Sequence, residues 1–128
     1  MSLTNPFETH TLEYLLTTTT VTRPTTWYIG LFTSDPTDTG IAGTEVSGFA
    51  YARTAVTFSV TADVASNTAG VEFPAASGGN WGTIGWIGVM DAATSGNMII
   101  HSALTTAKAI NAGDVFRIPT GDLDITAS

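Results

Sequence analysis

This 128-residue sequence contains no cysteine, and only four of its residues are basic. The absence of cysteine excludes disulfide bonds and thiolate chemistry. The basic residues stand singly along the chain, which excludes the clustered phosphate contacts of a nucleic-acid-binding protein. No apolar run reaches the length of a membrane span, and the first ten residues lack the basic start and apolar stretch of a signal peptide. We therefore expect neither a nucleic-acid nor a membrane partner.

Charge of both signs is scarce, and hydroxyl groups supply the polarity instead. Charged residues make up 12% of the chain, against roughly 25% in a typical domain, and the net charge is −7. The chain has 24 threonines and 13 glycines. Threonine is β-branched and suits half-exposed strands, while few charges suit a surface that meets other proteins. The length allows one core, so we predict a single all-β domain over residues 1–128.

Residues 5–16 are the one helical segment that the sequence predicts. Asn5 is a suitable N-cap, Pro6 suits the first helical position, and Glu8 follows three residues after the cap. An apolar stripe is expected from four residues of this helix: Phe7, Leu12, Leu15 and Leu16. A helix of this length is marginal alone, so we expect it to dock on its own sheet or on a neighbouring chain.

Residues 81–104 predict a central β-hairpin, in which two apolar runs flank a polar segment that ends in Gly96-Asn97. Period-two alternation gives the first run two apolar faces, so the strand is expected inside a covered sheet or at a subunit contact. The expected faces are Ile84, Trp86 and Met90 on one side, and Ile87 and Val89 on the other. The glycines at positions 82, 85 and 88 indicate bends or close backbone approaches.

Shorter strands are predicted around this hairpin. They are residues 26–33, 51–60, 68–73, 114–119 and 122–126. In 51–60 we expect Val56, Phe58 and Val60 to face inward. In 68–73 we expect Ala69, Val71 and Phe73 to share one face. A long loop, residues 34–48, separates the first two, a short polar link follows residue 60, and residues 105–113 are expected to cross over. Seven or eight strands with one short N-terminal helix predict a β-sandwich of the jelly-roll or Greek-key type.

Candidate chemical groups are few, and each has a simpler structural interpretation. His10 and His101 are the only histidines, and a packed or interface histidine is favoured over a base or metal ligand for either. Asp35 and Asp38 with Gly40, or Asp122 with Asp124, offer oxygens for calcium, but turn capping is the favoured role. No nucleophile elbow, phosphate loop or dinucleotide fingerprint is present, so we expect no enzyme activity, metal or cofactor.

The aromatic residues leave two interpretations open. Core or subunit contacts are favoured over a carbohydrate-stacking platform, which would make the chain a free carbohydrate-binding module. The residues concerned are Trp27, Tyr28, Tyr51, Trp81 and Trp86.

A series of short sequence motifs in fixed order resembles a family of small tailed-bacteriophage virion proteins, whose members are labelled head decoration or tail fibre proteins. The motifs are W-Y-I-G-L-F-T-S-D-P-T-D, G-T-E-V-S-G, Y-A-R-T-A-V-T-F, W-G-T-I-G, D-A-A-T-S-G-N, A-L-T-T and G-D-L-D-I-T, between residues 27 and 126. The resemblance implies a structural role in the virion, no catalysis, and synthesis in the bacterial host cytoplasm.

Two roles follow from this resemblance. In the first, the chain is a capsid decoration or cement protein that binds the major capsid protein at symmetry points of the shell, as a homotrimer, and stabilises the shell by bridging its subunits. In the second, it joins tail proteins in a tail fibre or tail tip. Small size and the absence of a fibrous repeat favour decoration at this stage.

The residues expected at an interface are Phe7, Leu12, Leu16, Trp27, Glu45, Arg53, Trp81 and Trp86. For Glu45 and Arg53 the sequence leaves two interpretations open. They pair and fix the 34–48 loop against the following strand, or they are two independent surface charges.

Overall fold

Strands dominate the computed structural model, which describes residues 2–127. Within them one helix and ten strands are found, two strands or more beyond the predicted seven or eight because several are only two residues long. The elements are β1 Ser2–Leu3, α1 Asn5–Leu16, β2 Tyr28–Phe32, β3 Thr54–Ala55, β4 Phe58–Thr61, β5 Val64–Asn67, β6 Val71–Glu72, β7 Gly82–Met90, β8 Met98–Ile110, β9 Arg117–Ile118 and β10 Asp124–Thr126. In residues 2–127 no helix is long and apolar enough to cross a membrane.

A five-stranded antiparallel sheet in the order β1-β8-β7-β2-β3 organises the fold. Its centre is the predicted hairpin, β7 and β8, whose second strand continues past Leu104 to Ile110. The predicted crossover at residues 105–113 is therefore wrong. On the outer side of β8, β1 pairs only with Ile100 and His101, and no other strand in residues 2–127 follows it there.

A bulge explains why the second strand of the hairpin was predicted too short. Lys108 pairs with Ile84 and Ala103 pairs with Trp86, so four residues of β8, 104–107, face the single residue Gly85 of β7. Such a bulge interrupts the alternation that a sequence pattern depends on. Threonine and alanine within it carry no apolar signal.

The same bulge changes the face of the sheet on which one residue of β7 lies. Ile84 lies in the main core with Ile87 and Val89, while Trp86 and Met90 lie in a second cluster on the other face of the sheet. The predicted grouping of Ile84 with Trp86 and Met90 is therefore wrong, because the irregularity at Gly85 shifts the period by one residue. Both faces of β7 are apolar, as predicted.

The main core lies between this sheet and two smaller ones, in the orders β10-β5-β4 and β6-β9. Ile29 and Leu31 from β2 meet side chains such as Phe73, Phe116 and Leu123. Sheets packed around a shared core confirm the predicted all-β, sandwich-like class, with one short N-terminal helix.

The predicted strand 51–60 divides between two sheets. Val56 is buried, and its backbone N–H donates to the carbonyl of Trp27. β3 ends just before Val56, and the chain then enters β4 of the smaller sheet. Val60 is 72% exposed there instead of inward, so that part of the prediction is wrong. β5 lies where a polar link was predicted, because the small and polar side chains of Ala65, Ser66 and Asn67 conceal its strand character.

The third predicted strand, 68–73, is reduced to β6. Val71 and Phe73 are buried as expected, whereas Ala69 is exposed. The buried Asn67 donates its side-chain amide to the carbonyls of Ala69 and Pro119, which fixes this stretch as a connection to the β9–β10 turn.

Thr4, and not Asn5, is the N-cap of α1. The Thr4 backbone carbonyl accepts the N–H groups of Phe7 and Glu8, while its hydroxyl donates to the Met98 carbonyl at 2.7 Å. Thr4 is fully buried. The expected Asn5 cap is therefore wrong, because the residue anchored to β8 decides where the helix begins.

Candidate functional site

The Arg53 side chain ties two loops together. Its Nε donates to Glu45 Oε2 and its Nη2 donates to Glu45 Oε1, both at 2.8 Å. Its Nη1 donates to the backbone carbonyls of Ala92, at 2.9 Å, and Ser95, at 2.7 Å. The paired interpretation of Glu45 and Arg53 is therefore the correct one, and the guanidinium joins the 34–48 loop to the β7–β8 loop.

Tyr51 completes this network. Its hydroxyl donates to Glu45 Oε2 at 2.6 Å and accepts the backbone N–H of Leu31 at 3.0 Å. Burial raises the pKa of Tyr51 well above its usual range, and the hydrogen bond to Glu45 adds to this shift because it stabilises the neutral phenol. The hydrogen bond to Glu45 likewise raises the pKa of Arg53. Tyr51 therefore stays neutral while Arg53 stays charged.

Solvent has little access to the ion pair. The side chain of Arg53 is 9% exposed and that of Glu45 is 24% exposed. A bidentate pair in such a setting is strong, and removal of one partner leaves a charge without compensation. Four of the five Arg53 donors are committed within the chain, so the arrangement can hold loops rigid. An interface role for Glu45 and Arg53 stays a prediction.

The loops around this network contain strained backbone. Residues 48–50 all have positive φ angles, and only the first of them is glycine. Ser95 is left-handed too, with φ of 53°. Backbone in this region costs about 1 kcal/mol or more per non-glycine residue and persists only where contacts hold it. Here the carbonyl of Phe49 accepts the Trp81 Nε1–H at 2.9 Å.

The two histidines each contact a neighbouring side chain. His101 is 13% exposed, and its Nε2 lies 2.9 Å from Asp38 Oδ1. His10 packs edge-on against Phe7 at a centroid distance of 5.2 Å. Neither histidine lies in a group of three or more His, Asp or Glu side chains arranged for a metal ion, at least within residues 2–127.

Three of the four carboxylates considered for calcium, those of Asp35, Asp38 and Asp124, form hydrogen bonds. Asp35 Oδ1 accepts the Thr37 N–H at 2.9 Å, which is the turn-capping role that the sequence favours. Asp38 contacts His101, and Asp124 accepts a hydrogen bond from the Ser66 hydroxyl.

The five aromatic residues do not form one platform. Trp81 is 6% exposed in the main core, and Trp27 and Tyr51 pack against that core. Trp86 and Tyr28 lie with the second cluster, across the sheet. These positions favour the packing interpretation over carbohydrate stacking. Trp27 and Trp86 remain half-exposed, whereas Trp81 is committed to the core.

Helix α1 turns most of its apolar side chains to solvent. Phe7 is its one buried residue, while Leu12, Leu15 and Leu16 are 58%, 67% and 77% exposed. Their spacing places these leucines on one stripe, which we call the leucine stripe. The three residues predicted to dock as a set thus divide, because Phe7 belongs to the core and Leu12 and Leu16 do not.

An apolar groove lies on another part of the surface. It holds about 300 Å³ between the β1–β8 edge of the large sheet and the face of the β10-β5-β4 sheet. Its apolar lining is Leu3, Val60, Ala62, Ala65, Ile100, Ile125 and Ala127. Sequence analysis missed this groove, because Val60 was assigned inward and β5 was not recognised.

With this geometry in hand, comparison with protein-family models places the chain among the structural proteins of bacteriophage particles. The matching family, Gp80, is described as podophage GP4 fiber I protein gp80, and the match covers residues 2–126. The chain belongs to this family. Comparison with curated proteins gives no match. The predicted resemblance to a phage virion family is confirmed, and of the two labels that it carried, fibre is the one in the family description.

Proposed function

We propose that this chain is a non-enzymatic structural subunit of a phage tail fibre. The observation that carries the proposal is the family match, which spans residues 2–126 and describes a fibre protein. The structure supports it with rigid, hydrogen-bonded loops and with apolar surface left for other chains. This role replaces capsid decoration as the leading interpretation, because nothing in the match or the structure favours the shell.

Self-association belongs to this proposal, with a homotrimer as the expected state. The chain has a low charge content, 12%, and several exposed leucines, and both features suit contacts between copies. Tail proteins are the expected partners, and the virion tail is the expected location.

Cryo-electron microscopy of the purified virion tests the location. A tag is inserted at Thr120, an exposed residue in the turn between β9 and β10, and is labelled with a Fab fragment. Density confined to the tail supports the proposal. Density on the shell at three-fold or quasi-three-fold positions would overturn it in favour of decoration and a contact with the major capsid protein.

A further inference from the structure

We propose that the leucine stripe of one copy binds the apolar groove of a second copy. The contact is head-to-tail, because stripe and groove are different patches of one chain. Such a contact closes into a ring when its rotation returns to the first copy, and the proposed homotrimer is a closed ring of this kind, in which every copy gives one helix and receives another. This inference rests on the proposed structural role and names the contact through which copies of the chain join.

The first support is that the leucine stripe is mostly exposed in its own chain. Leu12 and Leu16 are both more than half exposed, and neither belongs to the lining of the cleft beside α1. Three of the seven leucines in the sequence lie on this stripe. Single exposed apolar residues are ordinary, but a contiguous group of them marks an interaction surface.

The second support is that the helix does not fill the groove of its own chain. Thr4 is held by its hydrogen bond to the Met98 carbonyl, and Phe7 is held in the core. A helix of 12 residues is about 18 Å long, so Leu16 lies at the end remote from this anchor. Leu3 precedes the anchor and lines the groove, and none of the helix residues does.

The third support is charge complementarity at the margins of the two patches. Arg23 lies beside the C-terminal half of α1, where it shares a cleft with Tyr14 and Leu15, and no ion pair of residues 2–127 includes it. Asp63 is the one charged residue of the groove lining. Two copies with a net charge of −7 repel each other, so an Arg23–Asp63 contact helps to fix the partner and its orientation.

The size of the patches favours a ring over a dimer with one contact. The groove is lined by nine residues, against roughly 20 to 30 residues on each side of a standard protein interface. In a closed ring each copy is held at two such contacts, and the second is intramolecular once the first has formed.

Cysteine cross-linking tests the contact directly, because the natural chain contains no cysteine. Leu16→Cys and Val60→Cys are made as separate proteins, mixed and oxidised. We expect a disulfide-linked heterodimer at least tenfold above the yield with Ser59→Cys as the partner. Ser59 is exposed like Val60 and adjacent to it, but its side chain points to the opposite face of β4. Equal yields with both partners would overturn the proposal.

Light scattering then tests the assembly that this contact makes. The natural chain is expected at a multiple of its 13.3 kDa mass, and Leu12→Ser/Leu16→Ser is expected as a monomer. Tyr14→Ser removes an exposed aromatic side chain that does not belong to the leucine stripe, and this control variant is expected to retain assembly. Arg23→Glu weakens assembly at least tenfold, and the double variant Arg23→Glu/Asp63→Arg, which reverses the pair at every contact, restores it. A natural chain that is monomeric at 100 µM would overturn the inference, while the tail location is decided separately on the virion.

Discussion

The β7–β8 hairpin and the N-terminal arm, residues 5–26, use apolar residues for different purposes. In β7 the isoleucines and valine are at most 5% exposed, and they face a core that several strands share. In the arm, three leucines of α1 are more than half exposed. Apart from Phe7, the helix of the arm buries little apolar surface in its own fold, so its leucines are free to contribute apolar surface to another molecule.

Substitution of one leucine in each region gives the largest expected difference in stability. Leu31→Ala removes a fully buried side chain and is expected to cost about 3 to 4 kcal/mol of unfolding free energy. Leu16→Ala, 77% exposed, is expected to change it by less than about 0.5 kcal/mol when the protein is monomeric. Urea denaturation at low protein concentration measures both, and a loss at Leu16 near that at Leu31 would show that the helix belongs to the core.

The two arginine–glutamate pairs place the same kind of ion pair in a buried and in an exposed setting. Arg53→Ala leaves Glu45 partly buried without its partner and is expected to cost about 3 kcal/mol. Arg117→Ala breaks an exposed pair with Glu72, 65% and 59% exposed, and is expected to cost less than about 1 kcal/mol. Chemical denaturation of both variants gives the difference. Similar values for the two would mean that Arg53 is as well solvated as Arg117.

Alkaline pH tests the hydrogen bonds around Tyr51. Its pKa is raised in the folded chain, so the folded state retains a proton that the unfolded state loses above pH 10. Stability is therefore expected to fall as pH rises beyond about 10. Tyr51→Phe is expected to cost about 1 to 2 kcal/mol at neutral pH and to lose this phase, whereas Tyr14→Phe on the arm keeps it. A phase retained in Tyr51→Phe would assign it to another group.

Thr4 connects the two regions, and removal of its hydroxyl is expected to cost less than removal of the buried Leu31 or Arg53 side chain. Thr4→Val removes the hydrogen bond to the Met98 carbonyl and is expected to cost about 1 kcal/mol. Hydrogen exchange in α1 is expected to quicken, while exchange in β7 stays slow. Thr9→Val, exposed on the same helix, is the control. Unchanged exchange in Thr4→Val would place the anchor of the helix at Phe7 alone.

The sequence predicts well where one period holds and poorly where it is interrupted. The helix bounds of 5–16 and the strand predicted over residues 26–33, which contains β2, follow directly from pattern. The alternation fails at Gly85, where the strands slip, and in residues 51–60, where the chain changes sheets. Both events depend on which strand lies alongside, and a local pattern does not contain that information.

The candidate site shows the same limit. Pairing of Glu45 with Arg53 was one of two open interpretations, but its hydrogen bonds to Tyr51 and to the carbonyls of Ala92 and Ser95 were not foreseen. Backbone carbonyls carry no signal in a sequence. Arg53 and Ser95 are 42 residues apart along the chain, so only the folded sheet brings them together.

The bulge at residues 104–107 has a consequence for how the protein behaves when it is abundant. Beyond β1, the outer edge of β8 has no neighbouring strand in residues 2–127, and a long, regular edge of that kind recruits other chains into aggregates. The bulge breaks the even spacing of backbone groups that such recruitment requires, and Lys108 adds a charge just after it. The bulge and the charge of Lys108 are therefore expected to disfavour uncontrolled sheet growth along this edge.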